Sequence, residues 1–174
     1  MHKLMQIKDN NSQHIILHHN IIVWRHADAV PLLNAEDCLI DDNSRPLSDK
    51  GQQQAIKMAR WLKRHLPKEF DLQSSPALRA FQTAQVLQCK VAINPALKPR
   101  ASLQQILSAI AMIPPQSHLL LVGHQPWMGQ LVAYLLGINE AEFDIKKGAI
   151  WWLRQLEFIP KKYEMITLQT PSKL

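Results

Sequence analysis

A three-layer α/β/α sandwich, with a mostly parallel central sheet and an antiparallel edge, is predicted by three features of this sequence. Short apolar runs such as Ile21-Ile22-Val23-Trp24 and Leu119-Leu120-Leu121-Val122 have the length and composition of strands buried on both faces. Between such runs lie stretches with apolar residues at helical spacing, so strand and helix alternate, as they do in a parallel sheet covered on both sides. The tail departs from this pattern. Ala149 to Phe158 and Glu164 to Gln169 are strand-like runs separated by a turn around Pro160-Lys161-Lys162, as in an antiparallel pair at a sheet edge.

Taken in order, residues 1–18 read as a polar N-terminal extension and residues 19–174 as a single domain. His14, His18 and His19 are expected to be exposed imidazoles rather than metal ligands, because no cysteine or well-spaced acid accompanies them. After the first strand, Val30 to Ser44 lacks periodicity and reads as a surface loop. Ser48 is placed to cap a helix whose apolar positions Ala55, Ile56, Met58, Ala59, Trp61 and Leu62 continue until Pro67. Phe70 to Ser74 follows as a short strand. Pro76 suits the first turn of a helix with Leu78, Phe81, Ala84, Val86 and Leu87 on its apolar face. Residues 91–94 form a third short strand, and Ser102 to Met112 a helix ended by Pro114-Pro115. His118 to Val122 is a buried strand, and Trp127 to Leu136 is the helix after it, closed by Gly137.

The 174 residues, 47% hydrophobic and 20% charged, match one ordinary globular core. No stretch approaches the roughly 20 apolar residues of a membrane span, and Met1 to Gln13 lacks the apolar core of a signal peptide. A cytoplasmic protein without a membrane partner is expected. Cys38 and Cys89 share no Cys-x-x-Cys spacing and read as free thiols rather than a disulfide or zinc site. The net charge of +6 points to an anionic partner. Nucleic acid is not expected, because the Lys and Arg residues are scattered and their densest groups lack interleaved aromatics.

Three predicted strand exits carry the chemistry. Arg25-His26-Ala27 follows the first strand, Ser75-Pro76 and then Arg79 follow the second, and Gly123-His124-Gln125-Pro126 follows His118 to Val122. Right-handed crossovers bring the carboxyl ends of parallel strands to one side, so Arg25, His26, Arg79 and His124 converge. Two guanidinium groups and two imidazoles with few acids nearby suit a compact dianion such as phosphate, because arginine's planar fork bonds two oxygens at once. Amides at the starts of the helices near Ser75 and Gln125 add partial positive charge. Trp127, just after one exit, reads as core or as pocket rim. Lys146-Lys147-Gly148 reads as a solvated turn or as a docking point for an acidic protein surface.

Together with Arg45-Pro46-Leu47-Ser48-Asp49-Lys50-Gly51, Ser74 to Ala84 and Gly123 to Pro126, the Arg25-His26-Ala27-Asp28-Ala29 segment resembles the histidine phosphatase superfamily. The likeness is greatest to its small bacterial branch, the SixA-type phosphohistidine phosphatases, and runs from about Ile21 to Leu153. It implies a phosphoglycerate mutase-like fold. It also implies that His26 attacks phosphorus, that Arg25, Arg79 and His124 are catalytic, that Arg45 helps bind substrate, and that no metal or cofactor is used. Water would hydrolyse the resulting phosphohistidine intermediate.

Larger family members that cleave esters carry a glutamate after the third strand, whereas Ala96-Leu97-Lys98-Pro99-Arg100 offers no acid here. General acids contribute about 10²–10⁴-fold, so phosphate esters should be poor substrates. An imidazole leaving group, with a pKa of roughly 6.5, departs with little help. Asp28 is the nearest fallback acid in sequence. The stretch from Arg79 to His124 is filled by predicted elements and leaves little for a lid, as expected if the substrate is a histidine-phosphorylated protein. Two other readings stay open: a phosphomonoesterase for a small metabolite or nucleotide, and a non-catalytic phosphate-binding module.

Overall fold

In the computed structural model the strands are Asn20–Arg25 (β1), Asp71–Ser74 (β2), Ala92–Ile93 (β3), His118–Gly123 (β4), Ile150–Gln155 (β5) and Tyr163–Gln169 (β6). The helices are Asp49–His65 (α1), Leu78–Gln85 (α2), Leu103–Ala111 (α3) and Trp127–Leu135 (α4). The structure describes residues 18–32, 41–114, 118–138, 143–156 and 162–174. His14, Cys38, Pro160 and Lys161 lie outside the described residues, as does most of the predicted N-terminal extension.

One six-stranded sheet has the order β3-β2-β4-β1-β5-β6. The first four strands in that order pair in parallel, and β5 pairs antiparallel to both β1 and β6. Side chains alternate between faces along a strand, which divides the apolar runs between two cores. Ile21, Val23, Leu119 and Leu121 pack against Ile106 and Ile110 of α3 and Leu131 of α4. Ile22, Trp24, Leu120 and Val122 pack against Met58 and Leu62 of α1 and Ala80 and Ala84 of α2. Unbroken apolar runs in β1 and β4 are therefore what a sheet covered on both faces requires.

Local signals account for most helix boundaries. Ser48 Oγ accepts the Gly51 N–H at the start of α1, and Ser102 with Gln105 forms a reciprocal capping box on α3. Gly137, at φ +70°, adopts the left-handed conformation just beyond α4. Four expectations need correction. The α2 helix begins two residues after Pro76, with Ala77 as its N-cap, so Pro76 is outside it. Its buried face is Arg79, Ala80, Thr83 and Ala84 rather than one including Leu78 and Phe81, because the second turn packs beneath the β1 exit and carries polar groups inward. Asp42–Ser44 is a short 3-10 turn within the expected loop. His18, expected to be exposed, is fully buried, and its carbonyl accepts the Tyr163 hydroxyl.

Candidate active site

Strand register sets the geometry. Arg25 stands opposite Gly123, the last residues of adjacent parallel strands, so the next residue on each is a histidine. The His26 amide donates to the Gly123 carbonyl at 3.0 Å, and the His26 and His124 rings lie 5.0 Å apart between centroids, tilted by 51°. On the other side of β4, Ser74 pairs with Val122, and the Ser75 amide donates to the Val122 carbonyl at 3.0 Å. Three strand exits thus lie in one row.

The sequence segments around these exits lock together through buried and half-buried hydrogen bonds. Thr83 Oγ1 accepts the Ala27 amide at 3.1 Å and donates to the Arg79 carbonyl at 2.7 Å. Gln82 Oε1 accepts the Leu47 amide at 2.7 Å, which docks the Arg45 to Gly51 segment on α2. Ser48 Oγ, besides capping α1, donates to Asp28 Oδ2 at 2.8 Å. A Cβ on Gly51 would lie 1.8 Å from the Asp28 carbonyl oxygen, so a glycine is what lets α1 approach this loop.

His26 Nδ1 lies 2.7 Å from the Ala27 carbonyl oxygen. A carbonyl only accepts, so Nδ1 bears the proton and Nε2 keeps a lone pair, the form in which an imidazole can act as a nucleophile. Burial, reinforced by Arg79, Arg25 and Lys147 and partly opposed by the Ala27 hydrogen bond, lowers the His26 pKa from 6.5 to about 4. His124 is lowered to about 2, by burial first and then by His26 and the nearby arginines. Both rings are therefore neutral at ordinary pH.

The guanidinium groups are held from behind. Arg79 donates through Nη1 to the Asp42 carbonyl at 2.6 Å and through Nη2 to Asp42 Oδ2 at 3.0 Å. Its Nε is buried and has no partner among the described residues, and the same is true of Arg25 Nε and His124 Nδ1. Buried polar groups without partners are uncommon in folded proteins, and three on neighbouring residues, two of them fixed arginine donors, fit an anion. Arg25 Nη1 donates to the Ile145 carbonyl and stands 3.8 Å from the exposed Asp144. Arg45 turns toward Asp42, at 2.8 Å through Nε and 2.7 Å through Nη2, and its Nη1 donates to the Val30 carbonyl.

The expectation of few nearby acids is therefore corrected. Asp42 bridges Arg45 and Arg79, and Asp28 pairs with Lys147 at 2.7 Å. Burial alone would raise the Asp42 pKa, but the Arg45 hydrogen bond and the two guanidinium charges hold it below its ordinary value. Asp28 is lowered mainly by its hydrogen bond to Lys147, with help from Ser48. Both carboxyls are thus ionised and poorly suited to donate a proton.

Lys147 belongs to this neighbourhood rather than to a detached solvated turn, because Gly148 N–H binds the Arg25 and His26 carbonyls and draws the turn against β1. Trp127 is fully buried, with its ring against Gly123, where a Cβ would come within 2.0 Å. It is core, not rim. Asp42, Ser75, Gln82 and Thr83 had no assigned role in the sequence reading. Ser75, Gln82 and Thr83 were at least marked by lying within the Ser74 to Ala84 segment, whereas Asp42 had only its place three residues before Arg45. Among the described residues, no group of three or more His, Cys, Asp or Glu side chains could hold a metal ion, and no helix is long and apolar enough to cross a membrane.

Residues 21–102 match the family pattern of the histidine phosphatase superfamily (branch 1). An uncharacterized protein of Picosynechococcus sp. is 34% identical over 123 residues, 66% of this chain and 74% of that protein. A solved structure of the protein histidine phosphatase SixA with tungstate superposes with a TM-score of 0.68 at 26% identity, over 88% of this chain and 98% of that one. The chain belongs to the histidine phosphatase superfamily. Within the superfamily its fold is that of the SixA-type proteins. A SixA from Agrobacterium tumefaciens gives a TM-score of 0.72 at 21% identity, over 89% of this chain and 99% of that one. The fold is shared more widely, for a mycobacterial glucosyl-3-phosphoglycerate phosphatase superposes at 0.61 with 16% identity, over 86% and 97% of the two chains.

Proposed function

We propose that this histidine phosphatase superfamily protein hydrolyses the P–N bond of phosphohistidine on a protein substrate. His26 Nε2 forms a bond to phosphorus as the substrate's P–N bond breaks, and the substrate ring, already protonated from solvent at its other nitrogen, leaves with the electron pair as neutral imidazole. Water then forms the new P–O bond, the bond to His26 breaks, and inorganic phosphate departs. Arg25, Arg79 and His124 bind the equatorial oxygens, where charge is spread in the transition state. Arg45 acts through Asp42 and adds positive charge near the pocket.

The observation that carries the reading is the state of the carboxyls. Asp28 and Asp42 are each tied to a cation, and the loop from Ala96 to Arg100 supplies no acid. Among the described residues no free acid stands at the site, which favours a leaving group that needs no proton from the enzyme. The likeness to the SixA protein histidine phosphatase agrees with this. The metabolite phosphatase of the same fold makes small phosphate esters the comparison to test.

Turnover of histidine-phosphorylated proteins should be measured beside a panel of phosphomonoesters, with acid-labile, alkali-stable phosphoenzyme trapped in both cases. Turnover of phosphohistidine with little of the esters, lost in His26→Ala, is the expected result. Strong ester turnover with none on phosphohistidine would establish the metabolite reading. Binding without any phosphoenzyme would leave a phosphate-binding module.

A further inference from the structure

Behind His124 lies the buried hydroxyl of Ser75. Ser75 is fully buried, and its Oγ lies 3.2 Å from the Ala77 amide and 2.8 Å from His124 Nε2. The amide can only donate, so it occupies one of the oxygen's lone pairs. The hydroxyl proton must go elsewhere, and among the described residues His124 Nε2 is the one acceptor recorded for it. If Nε2 carried the proton instead, the Ser75 hydroxyl would be buried with nothing to donate to, which is unfavourable. The low-cost arrangement has the Ser75 hydroxyl donating to Nε2, which puts the single proton of neutral His124 on Nδ1.

Nδ1 is the ring atom that faces away from Ser75, and it is buried without a partner. A proton there makes it a donor, beside the similarly unpartnered Nε groups of Arg25 and Arg79. The opposite tautomer would present a lone pair toward an anion. We propose that Ser75 is a positioning residue that selects the Nδ1–H tautomer of His124, turning an uncharged imidazole into an oxyanion donor matched to the arginines. The Ser75 backbone, anchored to Val122 at the end of β2, holds the hydroxyl in register with the β4 exit. The inference rests on the phosphoryl-binding reading of the pocket, but its structural half is independent of turnover.

The test is a long-range ¹H–¹⁵N spectrum of the protein with labelled histidine, at neutral pH, for the wild type, Ser75→Ala and Ser75→Thr. The wild type should show His124 protonated at Nδ1 alone. Ser75→Ala should show a mixture of tautomers, a loss of tungstate affinity of about tenfold, and a lower kcat with KM less affected. Ser75→Thr, which keeps the hydroxyl, should restore the Nδ1–H signature. A His124 protonated at Nε2 in the wild type, or one whose tautomer is the same in Ser75→Ala, would overturn the proposal. A correct tautomer with no phosphohistidine turnover would sink the proposed activity and leave the role of Ser75 in tungstate binding standing.

Discussion

Acid should destabilise this protein through its two buried histidines, and the share of His26 can be isolated. In the folded chain His26 has its pKa lowered from 6.5 to about 4 and His124 from 6.5 to about 2. The unfolded chain binds protons on both near the ordinary value, so it takes up more protons than the folded chain as pH falls. For a base whose folded pKa is depressed, stability is complete above the unfolded pKa and is lost as pH drops toward the folded one. At about pH 5 the excess is close to two protons, a slope of roughly 2.5 kcal/mol per pH unit. Integrated from about pH 7 to about pH 5, the loss is roughly 3 to 4 kcal/mol, a large part of a typical stability of about 5–15 kcal/mol.

Urea unfolding of the wild type and His26→Gln at several pH values measures this directly. His118, also lowered, adds a same-sign loss, but it is common to both proteins and cancels in the difference. Asp28 and Asp42, both lowered, add theirs only once pH falls into the carboxyl range. The variant's slope should be shallower by nearly one proton, about 1.2 kcal/mol per pH unit near pH 5. Parallel curves for the two proteins would show that folded His26 titrates normally, and the neutral nucleophile derived from its burial would fall with that result.

Three substitutions examine the scaffold around the site. Asp42→Asn removes the carboxylate that holds Arg79 and Arg45, and should lower kcat/KM by about tenfold or more; tighter tungstate binding would instead show that Asp42 competes with the anion. Thr83→Val deletes the acceptor of the buried Ala27 amide and should cost about 1–3 kcal/mol, read as a lower urea midpoint with an unchanged m-value. Gly51→Ala forces a Cβ against the Asp28 carbonyl, and should lower stability by about 1–3 kcal/mol and shift the amide resonances of the Arg25 to Asp28 loop. Wild-type stability in that variant would mean α1 approaches the loop less closely than the structure shows.

Local physics wrote much of this fold into the sequence. The apolar runs of β1 and β4 have the length and composition of strands buried on both faces, Ser48 and Ser102 cap the helices they precede, and Gly137 ends one. Because parallel strands share an exit side, the sequence alone places His26 and His124 as neighbours. What neighbours in sequence do not encode is pairing across the chain. Lys147 finds Asp28 and Asp42 finds Arg79 only when the sheet brings their loops together, and neither pair has a spacing that announces it. The α2 face was misread for a related reason: hydrophobicity predicts which side of a helix is apolar, but Arg79 and Thr83 are turned inward by hydrogen bonds to partners on other segments. Residue types and their order determined that two imidazoles and two guanidinium groups gather at the strand ends. Tertiary contacts decided the proton inventory of that pocket, because burial and neighbouring charge, not identity, set which imidazoles are neutral and which carboxyls stay ionised.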